Sequence, residues 1–417
     1  MSATKIRILE AVNQLGLGGT EYALQLYSKF LNKEIFEVTV VSLLKGGERV
    51  KLLEEMGIKV ILLDGDYAQL PAILNQVDVF HWHGGGSIDP ELFNIVKQNK
   101  PPLVIQTNVF GIYDASPFYD LIDYDLYISK MTLVRRMAQD KKLPDNFPNK
   151  RKVLPYPVDT DHLNTSLPTT EKLIRFKHDN HLNDFFIVGR IGRADDHKFD
   201  LIALDGFAHF AKKKDHARFL LVGATPTMKL HAEHLGISHK LMIMENTVDI
   251  QKLLIYYKIM DVFLAASQIG ESFGMVIAEA MTAGTPVLTI STEDRDNAQI
   301  ELMDNEKSGL VVKRSKHSIA KGLHFLYENK SIAKKLSEEA KLKILRDYKA
   351  QKIVKSFEQL ILKHLDHSSG HIGEKSLIQS YSKAMVNDYL DRCINLFGRT
   401  TFHKRLISFF RKTGLFS

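Results

Sequence analysis

Cysteine is almost absent from this 417-residue sequence, which contains only Cys393. A single cysteine excludes an intrachain disulfide and a cysteine-based zinc cluster, and it is typical of a reducing compartment. We expect Cys393 to be an inert residue of a helix. Long apolar runs are also missing, since none reaches the roughly 18–20 residues of a transmembrane helix. The N-terminus lacks the apolar core and cleavage site of a signal peptide, so the sequence predicts a cytosolic protein.

A strong excess of one charge is missing as well. The formal net charge is +7, which permits contact with anionic ligands or lipid but is small for a chain of this length. No RNA- or DNA-reading motif accompanies the charge, and we expect no nucleic-acid partner. The 44% hydrophobic and 25% charged residues are ordinary for a globular protein. At about 150 residues per domain, the length predicts two domains.

The most informative stretch of the sequence covers residues 268–290. The apolar run 261–267 precedes it and is typical of a buried parallel strand, because it is short and does not alternate with polar residues. Gly270 permits a turn, Ser272 is a candidate helix cap, and the helix should end near Ala283. The pattern predicts a strand, a tight turn, a helix and a second strand.

The start of the predicted helix is suited to bind a phosphate. Backbone N–H groups near Ser272, Phe273 and Gly274 should lie there, where the partial positive charge of the helix favours an anion. Two acids flank this position: Glu271 in the loop and Glu279 about 9–12 Å along the helix axis. Carboxylates do not bind phosphate, but they accept hydrogen bonds from hydroxyl groups. The pattern therefore indicates a nucleotide-sugar site.

The two acids belong to a longer pattern with fixed spacing. Glu271-x7-Glu279 continues into Ala280, Met281, Gly284, Pro286 and Val287. This pattern resembles the signature of retaining glycosyltransferases of family four, which have the GT-B fold. The alternative is an ordinary amphipathic helix with solvated glutamates.

The resemblance implies two Rossmann-like α/β domains that face each other across a cleft. It implies transfer of a sugar from a nucleotide-diphosphate donor to an acceptor hydroxyl, with retention at the anomeric carbon, in saccharide, cell-surface polysaccharide or glycolipid synthesis. In that family the first glutamate lies by the donor sugar and the second binds the ribose, which are the roles implied for Glu271 and Glu279.

A glycine-rich turn follows the first predicted strand, residues 6–12. A dinucleotide site requires G-x-G-x-x-G, but after Gly16 and Gly18 the third position is Glu21, and the second strand does not end in an acid. These departures disfavour the alternative of a nicotinamide-dependent oxidoreductase. The resemblance implies instead a loop near the donor phosphate or the acceptor, where Gly18 and Gly19 allow close approach.

The predicted fourth strand ends in His81-Trp82-His83, followed by glycines. Histidines two residues apart on a strand point to the same side, which also suits a metal pair. No nearby acid or third histidine completes such a site, so we predict no metal. The resemblance implies that His83 faces the donor sugar, which leaves His81 as a structural residue.

Cations follow the first strand of the predicted second domain. Gly192-Arg193 with Lys198 resembles the family's glycine–arginine pair and lysine, which neutralise the diphosphate leaving group; Arg190 is the alternate arginine. The resemblance implies a front-face mechanism in which these cations and the helix N–H groups stabilise the leaving group. We therefore expect no essential metal and no cofactor. Thr247, at a later strand end, is a candidate for the base pocket.

The sequence predicts three regions: an N-terminal acceptor domain (1–168), a donor-binding domain (169–350) and C-terminal helices (351–417), with a linker near 164–170. If helical, residues 397–417 present an aromatic and aliphatic stripe opposite four cations. This tail either docks on the protein or binds an anionic membrane surface at the inner face of the cell membrane, where a lipid-linked saccharide acceptor would be found. A non-enzymatic peripheral membrane protein is a further alternative.

Overall fold

The computed structural model describes residues 4–139, 149–291, 294–366, 376–398 and Ser408. Backbone contacts divide the chain into two units. Among the described residues, unit 1 contains 4–139, 149–157, 348–366 and 376–387, and unit 2 contains 158–291, 294–347, 388–398 and Ser408. No helix in the described residues is long and apolar enough to cross a membrane. Apart from Phe397, Gly398 and Ser408, the predicted membrane-binding tail lies outside the described residues.

Unit 1 is built on one sheet with helices around it. Its strands are β1 Ile6–Gln14, β2 Phe36–Lys45, β3 Lys59–Leu62, β4 Val79–Gly84, β5 Leu103–Asn108, β6 Tyr124–Tyr127, β7 Arg151–Val153 and β16 Gln379–Ser380. Its helices are α1 Gly19–Phe30, α2 Arg49–Glu55, α3 Leu70–Leu74, α4 Pro90–Gln98, α5 Lys130–Gln139 and α15 Ala350–His364. Helix α16, Lys383–Phe397, contributes residues to both units.

The sheet of unit 1 has the order β3-β2-β1-β4-β5-β6-β7-β16. All neighbours are parallel except β16, which pairs with β7 in the antiparallel direction. The strands read as near-continuous apolar runs because helices cover both faces of such a sheet. Helix α15 packs Ile353 and Phe357 into the same core as Ile8 and Ile105. This segment after residue 350 was predicted to lie outside the N-terminal domain, but it completes the core of unit 1.

Unit 2 is a second α/β unit. Its strands are β8 Phe186–Ile191, β9 Ala217–Val222, β10 Leu241–Met244, β11 Val262–Ala265, β12 Gly270–Glu271, β13 Val287–Ser291, β14 Asp296–Asn297 and β15 Leu310–Lys313. Its helices are α6 Thr160–Thr165, α7 Thr170–Asp179, α8 Ile202–Ala211, α9 Pro226–His234, α10 Ile250–Ile259, α11 Met275–Ala283, α12 Gln299–Leu302, α13 Lys316–Glu328 and α14 Lys330–Asp347.

The main sheet of unit 2 has the order β10-β9-β8-β11-β13-β15 and is parallel throughout. The short strands β12 and β14 form a separate parallel pair. In doubly wound sheets of this kind, ligands bind beyond the carboxyl ends of the strands. The loops at that edge of unit 2 are therefore where a ligand is expected to bind.

The chain passes from unit 1 to unit 2 after Pro157, earlier than the predicted boundary at 168. The predicted linker, 164–170, includes the end of α6 and the start of α7. Within it Thr169 caps α7 by accepting a hydrogen bond from the N–H of Lys172, just as Asp159, shortly before it, caps α6 by accepting one from that of His162. Helix caps and linkers favour the same residue types, which explains the difference.

Candidate active site

The loop between β11 and α11 folds largely as the sequence predicts, but its helix begins later. Gly274, with a φ of 99°, is the N-cap, and α11 starts at Met275. The predicted cap at Ser272 is wrong, because Gly274 takes the cap position; the Ser272 hydroxyl lies before the helix and donates to Asp296 Oδ2 at 2.7 Å. An α-helix cannot satisfy its first N–H groups internally, so those of Met275 and Val276 form its positive end. The candidate anion site therefore lies a few residues further along than predicted.

Glu279 lies in the middle of α11 and is buried. The hydroxyl of Tyr257, on α10, donates to Glu279 Oε2 at 2.8 Å. This bond fixes the direction of the carboxylate. Sequence reasoning did not identify Tyr257, because it lies in a different helix and belongs to no recognisable pattern.

Glu271 lies on β12, which pairs with β14 so that Glu271 is opposite Asn297. Burial raises the pKa of Glu271, while the charges of Lys198 and Arg190 act to lower it and that of Asp296 acts to raise it. Asp296 lies opposite Gly270 in the same strand pair, and the sequence reasoning missed it. Arg190 lies on β8, the neighbour of β11, and the chain just after Lys198 is bonded to the carbonyl of Ala266, where the loop to Glu271 begins.

The two predicted arginines have different surroundings. Arg190 is buried on β8, its guanidinium lies 4.8 Å from the ring centroid of Phe199, and burial lowers its pKa to about 10 against the opposing charge of Glu271. Arg193 is on the loop beyond the strand, more exposed, and pairs with Asp195 at 3.5 Å. The preference for Arg193 over Arg190 as a ligand of the diphosphate stays a prediction.

Thr247 follows β10 at the carboxyl edge of the sheet in unit 2. Its hydroxyl oxygen accepts the N–H of Asp249 at 3.0 Å, and Asp249 in turn caps α10. The preceding Asn246 donates from Nδ2 to the carbonyl of Gly192 at 2.8 Å. Thr247 therefore follows directly after a residue bonded to the cation-bearing loop, although its contact with a base stays a prediction.

His83 lies in unit 1, at the end of β4, with its side chain fully buried. His83 Nε2 donates to Glu10 Oε2 at 2.7 Å, and His81 Nδ1 lies 2.8 Å from the same oxygen. Burial alone would raise the pKa of Glu10, but the two histidines lower it to about 2. Burial and His81 lower the pKa of His83 to about 4 against the opposing effect of Glu10. The predicted contact of His83 with a donor sugar stays untested.

The two histidines point to the same side of β4, as predicted, but the argument that no acid is near them is wrong. Glu10 lies opposite His81 in the register of β1 and β4. The strands are far apart in sequence, so only the sheet order reveals this neighbour. Glu10, His81 and His83 form a set of donors of the kind that binds zinc. In the structure the carboxylate oxygen is already hydrogen-bonded to His83.

Gly18 and Gly19 lie at the turn into α1, of which Gly18 is the N-cap. A Cβ on Gly18 would collide with the carboxylate of Glu21, which folds back towards the turn. Gln14 Nε2 donates to Glu21 Oε1 at 3.2 Å. A carboxylate at the start of this helix repels a pyrophosphate. This adds a structural reason against the nicotinamide alternative.

Part of the chain matches a known protein family. Residues 171–343 match the family described as glycosyl transferases group 1. No curated protein sequence matches the chain. A glycosyltransferase from Rickettsia africae ESF-5 is 19% identical and has a TM-score of 0.71, over 87% of this chain and 100% of its own.

Two further solved structures are similar over nearly the whole chain. Anabaena HepE, solved in complex with UDP-glucose, is 17% identical with a TM-score of 0.69, over 87% of this chain and 100% of its own. Sucrose-phosphate synthase from Thermosynechococcus elongatus is 15% identical with a TM-score of 0.66, over 87% and 100%. These likenesses confirm the predicted fold of two Rossmann-like units. Residues 171–343 therefore match the glycosyl transferases group 1 family, within a chain that has the GT-B fold.

Proposed function

We propose that this protein is a retaining glycosyltransferase that moves a sugar from a nucleotide-diphosphate donor to an acceptor hydroxyl, without an essential metal. The observation that carries the proposal is the arrangement at α11. Glu271 shares its surroundings with Lys198 and Arg190, next to the positive end of a helix, within the domain that matches the family. An acid among cations suits a ligand with both hydroxyl groups and a diphosphate.

The chemistry follows from the charges. The diphosphate binds at the first N–H groups of α11 and at Lys198 and Arg193, which stabilise the negative charge that develops as the sugar departs. Glu271 accepts hydrogen bonds from hydroxyl groups of the sugar, and Glu279, held by Tyr257, accepts them from the ribose. Because the protein supplies the cations, we expect transfer to need no metal ion.

A uridine diphosphate sugar is the first donor to test, because the similar Anabaena HepE is described in complex with UDP and UDP-glucose. For the acceptor, the turn at Gly18 offers the carboxylate of Glu21, which attracts hydroxyl groups rather than phosphate. This favours a saccharide or a lipid-linked saccharide as acceptor, as in polysaccharide or glycolipid synthesis.

The proposal is tested with a thermal-shift panel of uridine, guanosine and adenosine diphosphates. A ligand that binds only the native state raises the melting temperature, by mass action. The nucleotide that does so is then supplied as its sugar conjugates, and the anomeric configuration of the product is read by NMR. Failure of every nucleotide to shift the melting temperature would overturn the proposed donor, and an inverted product would overturn the retaining mechanism.

A further inference from the structure

The loop that carries Arg193 and Lys198 is folded into a tight turn around Asp195. The carbonyl of Asp195 accepts the N–H groups of Lys198 at 3.1 Å and Phe199 at 3.2 Å. Its carboxylate accepts the N–H of His197 at 2.9 Å and pairs with Arg193 at 3.5 Å. These bonds shape the turn, but all of them lie within it, so they do not fix its position on the unit.

Asp196 supplies the connection to the rest of unit 2. Its Oδ1 accepts the hydroxyl of Thr225, and its Oδ2 accepts that of Thr227 at 2.7 Å. Thr225 is the N-cap of α9 and also accepts the N–H of Met228 at 3.2 Å. The hydrogen bonds from the two threonines lower the pKa of Asp196. One carboxylate thus joins the exposed turn to the first residues of a packed helix.

The chain just beyond Lys198 is held by a second carboxylate. Asp200 is buried and forms a pair of hydrogen bonds with the guanidinium of Arg314, the Nη2 bond being 2.9 Å long. The N–H of Asp200 donates to the carbonyl of Ala266, at the end of β11, at 3.1 Å. Lys198 therefore lies between two anchored residues, and Asp196 fixes the side of the turn that faces α9.

We propose that Asp196 is a positioning residue, which holds the turn so that Lys198 keeps its place near the end of β11, where the loop to Glu271 begins. The inference rests on the proposed function and adds a residue that does not itself touch the donor. A loosened turn samples more conformations. Lys198 must then be ordered again before it can neutralise the leaving diphosphate, and this ordering costs entropy. The charge on the diphosphate is greatest in the transition state, so we expect loss of Asp196 to lower kcat more than the affinity for the donor.

The test compares Asp196→Ala and Thr227→Val with the wild-type protein. The kcat of sugar transfer and the KM of the nucleotide-sugar donor are measured for each. We expect kcat to fall by about 10- to 100-fold in Asp196→Ala, with a smaller change in the donor KM. Thr227→Val should lower kcat less, because the Thr225 bond remains, and Thr227→Ser should restore it. The double variant should be no worse than Asp196→Ala, because both changes break the same connection.

Controls separate this role from a loss of folding. Asp215→Asn alters an exposed acid of the same unit that pairs with Lys240 at 3.8 Å, and it should leave kcat unchanged. The folded fraction of each variant is measured by thermal unfolding. A wild-type kcat in Asp196→Ala, or a fall that matches the lost folded fraction, would overturn the inference.

The variant Lys198→Ala distinguishes an error in the positioning role of Asp196 from an error in the proposed function. If Lys198→Ala lowers kcat while Asp196→Ala does not, the positioning role is wrong and the function stands. If the wild-type protein consumes no nucleotide-diphosphate sugar, both are overturned.

Discussion

Glu271 and Glu279 are close in sequence but have different surroundings, and so we expect different roles. Glu279 receives the hydroxyl of Tyr257, whereas Glu271 lies among Lys198, Arg190 and Asp296. A carboxylate held by a neutral hydroxyl is suited to bind another hydroxyl group in the ground state. A carboxylate beside the cations of the leaving group is suited to act on the sugar as its bond breaks.

We therefore predict that Glu279→Ala weakens nucleotide-diphosphate binding while Glu271→Ala spares it and depresses transfer. Hydrogen bonds to charged groups contribute about 1.5–3 kcal/mol, so the Glu279→Ala dissociation constant should rise at least about tenfold. Tyr257→Phe, which leaves the carboxylate in place, should have a smaller effect. Isothermal titration measures all three variants, and equal losses of affinity in the two glutamate variants would contradict the assignment.

Because Glu10 and His83 are buried with lowered pKa values, we predict that the protein loses stability in acid. The pKa of His83 falls from 6.5 to about 4 on folding. Below pH 6.5, His83 therefore binds a proton in the unfolded chain but stays neutral in the native state. The pKa of Glu10 falls from 4.5 to about 2, which continues the effect at lower pH. Stability that is fully present above pH 6.5 is therefore lost as the pH falls through these ranges.

Urea unfolding between pH 7 and pH 4.5 measures this loss. The free energy of unfolding should fall with pH in the wild-type protein, and the slope should be smaller in His83→Gln, which cannot take up the proton. The variant should also be less stable than the wild-type protein at pH 7, since it disrupts the buried hydrogen bond between His83 and Glu10. An identical slope in both proteins would show that His83 does not carry the effect.

At the scale of elements, the two glycines that cap α11 share the left-handed backbone conformation but differ in their expected roles. Gly274 begins the helix with a φ of 99°, and Gly284 ends it with a φ of 73°. Both lie in the left-handed region, where a side chain costs roughly 1–2 kcal/mol. Only Gly274 lies at the end of the helix that we assign to the diphosphate.

This pair supplies a matched test of the anion site. Gly274→Ala and Gly284→Ala should each destabilise the protein by about 1–2 kcal/mol. Only Gly274→Ala should also weaken nucleotide-diphosphate binding, because strain there displaces the first N–H groups of the helix. Melting temperatures and titrations give the two quantities separately, and an equal loss of affinity in both variants would remove α11 from the binding site.

The contrast between α11 and β4 shows how far the sequence predicts the elements. The end of α11 at Ala283 and the strand from Val287 follow from local glycine and proline and are confirmed. Serine favours caps and so predicts a start at Ser272, but the left-handed Gly274 is the cap, and the Ser272 hydroxyl bonds a distant aspartate, Asp296. Partners that come from another strand, such as Glu10, are decided by sheet order and leave no local pattern.

At the scale of the whole molecule, the question is whether any metal takes part. The proposed mechanism relies on protein cations in unit 2, whereas the donors Glu10, His81 and His83 lie buried in unit 1. We predict that sugar transfer continues after dialysis against EDTA, because Lys198 and Arg193 neutralise the charge of the diphosphate. Metal analysis of the purified protein accompanies the assay. Loss of activity that magnesium or manganese restores would refute the metal-independent mechanism.

The tail, residues 397–417, carries the last prediction, which concerns where the whole protein works. Its sequence places Phe402, Leu406, Phe409 and Phe410 on one side of a helical projection. The opposite side holds Lys404, Arg405, Arg411 and Lys412. Burial of the apolar side would add to about 1 kcal/mol per basic residue near an anionic leaflet. We propose that the tail holds the enzyme at a membrane surface that presents a lipid-linked acceptor.

Deleting residues 399–417 tests this role, because the deletion leaves the whole of α16 and the following Gly398 in place. The full-length protein should co-sediment with anionic liposomes at low salt and be released as salt rises, since screening weakens the attraction of exposed charges. The shortened protein should stay in solution and still bind the nucleotide diphosphate with unchanged affinity. If the full-length protein ignores the liposomes, or the shortened one unfolds, the tail docks on the protein and a lipid-linked acceptor loses its main support.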